Sequence, residues 1–523
     1  MRLDRDISGT GSGRLIQARQ HTTFAALRTD ETNTRTSRRR GAIILYSVAI
    51  VGLAARAGLV YLAPDYAYLN DHVDFMVWSE WARRDGPATL YHLPGRTLVN
   101  TRLPRYMSQG GEITPYPAFN AYNYPPLAGY LMWLQGWAWS STGPEVETRT
   151  VRPAIARLAG IPGGHLTSPV VNTVATRAIN AALPAIADYL MAWGILRLVR
   201  RLRGHTGWAD LAGFGLVVLG PPFILDSAFW TQLDAVPACL LVWALYFLSA
   251  ERCLAAGVCF GAALMIKAQA LLFVPTLGFI FLGLWMSRGW RQALRLWRMV
   301  AAAVVVVLVA AIPAALADRG EPQGGSLRWI DRAYVYPITK QFPLTSLKAF
   351  NVWWLDYLSH GQSVAALRAD SLVLGGLTRD RVGQVLALAA LLAAAAVCAR
   401  RWRWERAGWP AFTFLALLAL FTFPTRVHER YIYFCLPFLV LAAVTYRPWW
   451  PVVAGLFVVG SFEMTWCLWL ANPTVGDAAP AQSGDAALIS LVLSFVTVAS
   501  FAYALVIAWP LRSRSGAKPA RCS

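Results

Sequence analysis

Apolar runs broken by short polar or basic stretches recur from residue 41 almost to the C-terminus. A helix needs about 20 mostly apolar residues to cross a bilayer core. The pattern predicts spans over Gly41–Leu62, Val170–Leu198, Trp208–Leu225, Ala235–Ser249, Met299–Leu316, Val382–Ala399, Ala411–Phe423, Ile432–Tyr446, Val452–Leu470 and Ala487–Trp509. The long run Cys253–Met286 reads either as a hairpin with Lys267 and Gln269 at its tip or as one long span. With the hairpin counted as a pair, the expectation is an all-α polytopic membrane protein of about twelve transmembrane helices. No internal repeat stands out, which weighs against an inverted-repeat architecture.

Charge adds sidedness. The net charge is +20, but the basic residues fall in short clusters between apolar runs, such as SRRR, RLVRRLR and ARRWRWER. That is the positive-inside pattern of a membrane protein, with anionic lipid as counterion, and not a nucleic-acid-binding face. Threading the spans with these clusters inside puts both termini in the cytoplasm. Residues 1–40 then form a disordered basic tail, 41–446 the main transmembrane region, 447–511 the last transmembrane helices and 512–523 a second basic tail. Residues 63–169 become the first external loop and 317–381 a second long one. Tyr122–Trp139 is apolar enough to cross, but parity makes it re-entrant or surface-lying. The scattered cysteines form no CxxC pair, so neither a disulfide framework nor a zinc site is expected. The N-terminus lacks the pattern of a removable signal peptide.

The same threading carries separate polar groups to one outer level: Asp74, the turn Asn123–Pro126, Asp226–Asp234, Lys267, Lys340, Lys348 and His428–Arg430. Arg is this chain's usual base, yet three of its four lysines fall outside. Drawn as a helix, Asp74, Trp78 and Trp81 share a face. A carboxylate among aromatics at the membrane surface reads as a solvated acid beside belt tryptophans or as a catalytic acid.

Several of these motifs, in order from about residue 70 to 435, resemble those of the GT-C superfamily of polyprenyl-phosphate-sugar-dependent glycosyltransferases. The resemblance is to the endoplasmic-reticulum enzymes that add α-1,3-glucose to lipid-linked oligosaccharide. Its carriers are Asp74-Phe75 with Trp81, Asn123-Tyr124-Pro125-Pro126-Leu127, Ile224-Leu225-Asp226 with Trp230-Thr231-Gln232, the surroundings of Lys267, Ala349-Phe350-Asn351-Val352-Trp353, and Val427-His428-Glu429-Arg430. Asn123 stands where that family has an acid, and Arg430 where it has a lysine.

The resemblance implies a hexosyltransferase acting on the non-cytoplasmic face, with inversion at the sugar. Its donor would be a polyprenyl-phosphate-linked sugar, and its acceptor a lipid-linked or envelope glycan; membrane lipids are partners and nucleic acid is not. Asp74 is expected as general base. His428, Arg430 and Lys267 are expected on the donor phosphate, and Glu429, Tyr124, Asp226, Gln232, Asp234, Trp81 and Trp353 around the substrates. Hard oxygen donors make a divalent metal conceivable, but the resembling enzymes work without one, so no cofactor is expected. The membrane would be the plasma membrane of a bacterium, which the Arg- and Ala-rich composition favours, or the endoplasmic reticulum of a eukaryote. Two other readings stay open: a lipid or solute transporter, and a superfamily member moving a mannosyl, arabinosyl or aminosugar unit to another acceptor.

Overall fold

A computed structural model describes residues 39–64, 67, 70–93, 106–107, 113–114, 121–141, 146–150, 165–169, 173–204, 207–319, 325–337, 343–362, 368–469 and 484–509. Lys340 and nearly all of the two basic tails lie outside them. Among the described residues six helices are long and apolar enough to cross a membrane: α1 (Arg39–Pro64), α4 (Val174–Arg203), α9 (Ala268–Arg288), α10 (Trp290–Ala317), α12 (Arg379–Trp402) and α16, whose apolar part is Ala487–Ala508. The pair α5 (Trp208–Leu219) and α6 (Pro221–Trp230), bent by 42°, makes a seventh if taken as one span. The chain is therefore a multi-pass membrane protein, and length with composition does not reach the expected twelve. Shorter apolar helices supply much of the difference: α7 (Ala235–Ser249), α8 (Cys253–Ile266) and α13, which begins at Trp409 and ends at Thr422.

The short helices are short because they lie inside the bundle. In α13 and α14 (Leu436–Thr445) nearly every residue is buried. A helix that is apolar all round and covered by other helices need not match the bilayer thickness. The long helices α1, α10 and α12 turn Ile, Val and Leu outward, as lipid-facing helices do.

Helices α7 and α8 form an antiparallel hairpin through the tight turn Ala250–Arg252. On its other side α8 packs closely on α10. A Cβ at Gly257 would fall 2.2 Å from the Met299 carbonyl oxygen, and one at Gly261 2.8 Å from that of Ala303. Small residues four apart let the two backbones touch. The chain breaks after α8 at Lys267, which is extended, and α9 starts at once. The break within Cys253–Met286 thus falls at Lys267, while the hairpin that α8 joins is the one with α7.

Two helices of the expected first external loop, α2 (Asn70–Asp85) and α3 (Pro126–Ser141), pack on each other. Helix α2 is tied to the bundle by His72, whose ring meets Asn180 Nδ2 of α4 at 2.9 Å. The start of α4 is itself fixed by a capping box from Thr173. The same loop holds a four-stranded antiparallel sheet in the order Ile113–Thr114, Tyr106–Met107, His165–Pro169, Val146–Thr150. The all-α expectation is corrected there: Val146-Glu147-Thr148-Arg149-Thr150 alternates β-branched and charged residues, which is a strand signal. The other long loop carries α11 (Val352–Ser359), capped by Asn351. Helix α15 (Trp450–Trp469) completes the chain before α16.

Candidate active site

The first turn of α2 carries Asp71, and two other segments, those of Arg430 and of Trp230–Gln232, converge on it. Arg430 Nη1 donates to Asp71 Oδ2 at 2.8 Å, Gln232 Nε2 at 2.6 Å and Trp230 Nε1 at 3.0 Å. All three use the same oxygen. Among the described residues Oδ1 accepts no hydrogen bond, and the Asp71 side chain keeps 20% of its exposure. The Arg430 guanidinium also lies 5.7 Å from the Trp230 ring centre. Three donors pin the carboxylate's orientation and leave one oxygen to meet a ligand.

Backbone geometry explains why residues 230 and 232 reach one atom. Leu225–Trp230 is a π-helical turn, a device frequent at functional sites. It is closed by Thr231 at φ 63°, left-handed for a β-branched residue. Lys348 and Arg426, on the two segments beside His428, have positive φ as well. Such strain is kept only where the surroundings enforce it.

A second ion pair lies alongside. Asp234, at the start of α7, accepts from Lys267 Nζ at 2.5 Å at the end of α8, so the pair closes the open end of that hairpin. The Lys267 ammonium sits 5.4 Å from the Tyr124 ring centre. Tyr124 belongs to the Asn123–Leu127 turn and packs edge-on against Phe75 and Trp78 of α2. Asp71, Phe75 and Trp78 are therefore the i, i+4 and i+7 positions that face this turn.

His428 is held by parallel pairing of Ser346–Leu347 with Val427–His428. Its ring is 5.3 Å from that of Tyr431, whose hydroxyl takes Gln269 Nε2 at 2.5 Å. Burial pulls the His428 pKa below the ordinary histidine value, and Arg430 adds to this against the pull of Glu429. Burial works against the Glu429 carboxylate, but His428, Arg430 and Lys348 outweigh it and hold its pKa below the usual range. His428 is thus neutral near pH 7.

Of the expected site residues, Arg430, Gln232, Lys267, Asp234 and Tyr124 come together here, with His428 and Glu429 adjoining through Arg430. Asp226 is buried in the π turn, within electrostatic reach of Asp234, Lys267 and Arg430. Asp74 is 3% exposed, one turn along α2 from Asp71; the acid that meets Arg430 is Asp71. Trp81 lies about 15 Å further along α2 and donates to Thr89 Oγ1 at 3.1 Å. Trp353 donates to the Phe423 carbonyl at 2.7 Å, fastening α11 to the end of α13. Among the described residues no three His, Cys, Asp or Glu side chains converge as metal ligands.

One buried network was not foreseen. Arg56 of α1 pairs with Asp188 of α4 at 2.7 Å and donates to Ser227 Oγ at 3.3 Å, while the Tyr433 hydroxyl donates to Asp188. Ser227 precedes Trp230 by three residues and Tyr433 follows Arg430 by three. The network therefore ties the two site-bearing segments to each other. Arg56 and Asp188 each interrupt an apolar run, and that was the readable signal.

No protein-family model matches the chain, and no curated protein does. Among solved structures it is similar to the apo oligosaccharyltransferase of Archaeoglobus fulgidus, with 12% identity and a TM-score of 0.41, over 90% of this chain and 57% of that one. It is similar to ArnT from Cupriavidus metallidurans in the apo state, with 15% identity and a TM-score of 0.43, over 87% and 76%. The same ArnT bound to undecaprenyl phosphate gives 17% identity and a TM-score of 0.42, over 88% and 74%. The chain spans 57% of the length of the oligosaccharyltransferase it matches.

Proposed function

We propose that the protein is a membrane glycosyltransferase of the GT-C kind, moving a hexose from a polyprenyl-phosphate donor to an acceptor hydroxyl with inversion. The observation that carries this reading is the pinned Asp71 carboxylate, its Oδ2 held by Arg430, Trp230 and Gln232. Asp71 Oδ1 takes the proton of the acceptor hydroxyl as that oxygen attacks the anomeric carbon opposite the phosphate. The anomeric carbon–oxygen bond breaks, and the polyprenyl phosphate leaves with the electron pair and one more negative charge. Arg430 and Lys267 stabilise that charge, a preorganised electrostatic contribution. His428, neutral, offers a hydrogen bond in place of a third cation.

The opposite end of the α7–α8 hairpin supports a non-cytoplasmic site. Its closed turn holds Glu251 between Arg288 and Arg406, in the basic clusters that stay inside. The acceptor class proposed is a lipid-linked or envelope glycan, reached from the outer leaflet.

The test is transfer by the purified full chain in lipid nanodiscs, from radiolabelled polyprenyl-phosphate hexoses to extracted membrane glycans, with and without chelator. Transfer that survives the chelator is expected. Absence of transfer from every donor, together with protein-dependent movement of a lipid or solute across sealed vesicles, overturns the reading in favour of a transporter.

A further inference from the structure

At the end of the bundle opposite the candidate site, the arginines are of two kinds. Some are neutralised: Arg200 pairs with Asp210, and Arg288 and Arg406 share Glu251. Arg400, Arg401 and Arg447 form no ion pair among the described residues, and each is laid over an aromatic ring from another element. Arg400, in the last turn of α12, lies 5.1 Å from the centre of the Trp509 ring at the end of α16. Arg401 lies 5.4 Å from that of Tyr446, and Arg447 5.0 Å from that of Trp208 at the start of α5. These rings make one ledge. The Tyr446 hydroxyl donates to the Ile507 carbonyl at 2.9 Å, two residues from Trp509. Tyr446 is followed by Arg447, and the Trp208 ring under Arg447 stacks on Trp450. Arg203, at the end of α4, reaches the same turn by donating to the Val444 carbonyl at 3.4 Å. Residues 510–523, which follow Trp509 in the chain, contain no acid to neutralise the ledge.

The kind of partner follows from this arrangement. A guanidinium stacked on a ring commits its flat face and keeps its N–H edge, the part that grips a phosphate. The ring also holds the side chain in place, so less conformational freedom is lost when an anion binds. Trp208 and Trp509 are half-exposed at the ends of apolar helices, where tryptophan marks the headgroup level of a bilayer. An anion at that level is a lipid phosphodiester, whose glycerol and tails can rest beside the same tryptophans. Arg291, Arg295 and Arg298, at the α9–α10 turn, carry the same charge. Among the described residues only Arg291 of these three meets a ring, that of its own neighbour Trp290. They add to the general basic excess of this face without building a site.

We propose that this ledge binds one anionic phospholipid of the leaflet opposite the candidate active site. Arg400, Arg401 and Arg447 grip its phosphate, and the bound lipid fastens the end of α16 to α12, α5 and the α14–α15 turn. The site is independent of glycosyl transfer.

The experiment titrates the purified full chain, delipidated in detergent, with phosphatidylglycerol, phosphatidylcholine, glycerol phosphate or inorganic phosphate. Bound lipid is counted by native mass spectrometry. Thermal unfolding is followed alongside, since a ligand held only by the folded state raises Tm. Wild type should take up a first phosphatidylglycerol at least ~10-fold more tightly than phosphatidylcholine, with a rise in Tm. The triple variant Arg400→Gln, Arg401→Gln, Arg447→Gln should lose both the preference and the rise. The triple variant Arg291→Gln, Arg295→Gln, Arg298→Gln removes the same charge from the same face and should keep both. Equal loss in the two variants, or no loss in the first, means a diffuse effect of charge and overturns the proposal. Inorganic phosphate or glycerol phosphate raising Tm as far as phosphatidylglycerol also overturns it, because the ligand would not be a lipid. If the first triple variant does not fold, Arg447→Gln alone should weaken the first site by about 5-fold, and an unchanged affinity there overturns the assignment.

Discussion

Replacing Asp71 by Asn separates chemistry from structure. The asparagine carbonyl can occupy the Oδ2 position and keep the Trp230 and Gln232 donations, so the first turn of α2 should stay in place. What disappears is the charge facing Arg430 and the proton-accepting atom. The Asp71 and Arg430 side chains are 20% and 16% exposed, so the lost charge-assisted bond is worth about 1 kcal/mol after screening. Loss of a positioned general base costs roughly 10²–10⁴-fold in rate, or ~3–5 kcal/mol of barrier. The catalytic effect therefore exceeds the structural one. Arg430, relieved of its carboxylate, should hold the donor phosphate as well as before or better. Asp71→Asn is expected to lower kcat by at least ~10² with donor KM unchanged or reduced. Asp74→Asn, assayed in parallel, should keep kcat within a small factor. Measurement needs purified protein, synthetic donor and a thermal-unfolding control. If Asp74→Asn abolishes transfer while Asp71→Asn retains it, the base is Asp74 and the assignment to Asp71 is refuted.

Lys267→Met leaves Asp234 buried without its cation and should lower stability by about 3–5 kcal/mol, whereas Lys267→Met with Asp234→Leu should recover most of it. Thermal unfolding in detergent checks this, and additive losses would refute the pairing. The pH profile of stability should fall on the acid side. His428 has a depressed pKa, so the unfolded chain binds its proton first, and stability drops as pH falls from the unfolded value near 6.5 through the lower folded one. Glu429, also depressed, adds a loss as pH falls below its unfolded value and through its folded pKa. His428→Gln should flatten the first part of the curve and shrink the second, because His428 leads the groups that hold the Glu429 pKa down; an unchanged profile refutes it.

Much of this site is legible in the chain because charge is costly in apolar surroundings. Lys267 interrupts a long apolar run, and Asp226–Asp234 and His428–Arg430 follow runs that must end. The structure joins Arg430 and Gln232 through Asp71 Oδ2, and Lys267 directly to Asp234. The contacts that Asp71 makes were not legible, since Asp71 and Asp74 sit on one helix with tryptophan at helical spacing. Arg430, Trp230 and Gln232, all distant in sequence, supply those contacts. The Arg56–Asp188 pair was visible as two intramembrane charges, but not its partners, because Tyr433 and Ser227 carry no charge to betray them. The short central helices were legible as apolar runs, and they stay shorter than a bilayer crossing because neighbouring helices rather than lipid tails surround them.

The coupling of Asp71 to Arg430 and of Asp234 to Lys267 makes the resting protein its own competitor. Each cation already holds a tethered anion at high effective concentration. Small water-borne anions, including inorganic phosphate, must displace that tether from dilute solution and should fail. A phosphate carried on a lipid tail arrives concentrated in the plane of the bilayer and can prevail. Discrimination against soluble phosphates would then need no steric barrier at the entrance, only rivals that never leave.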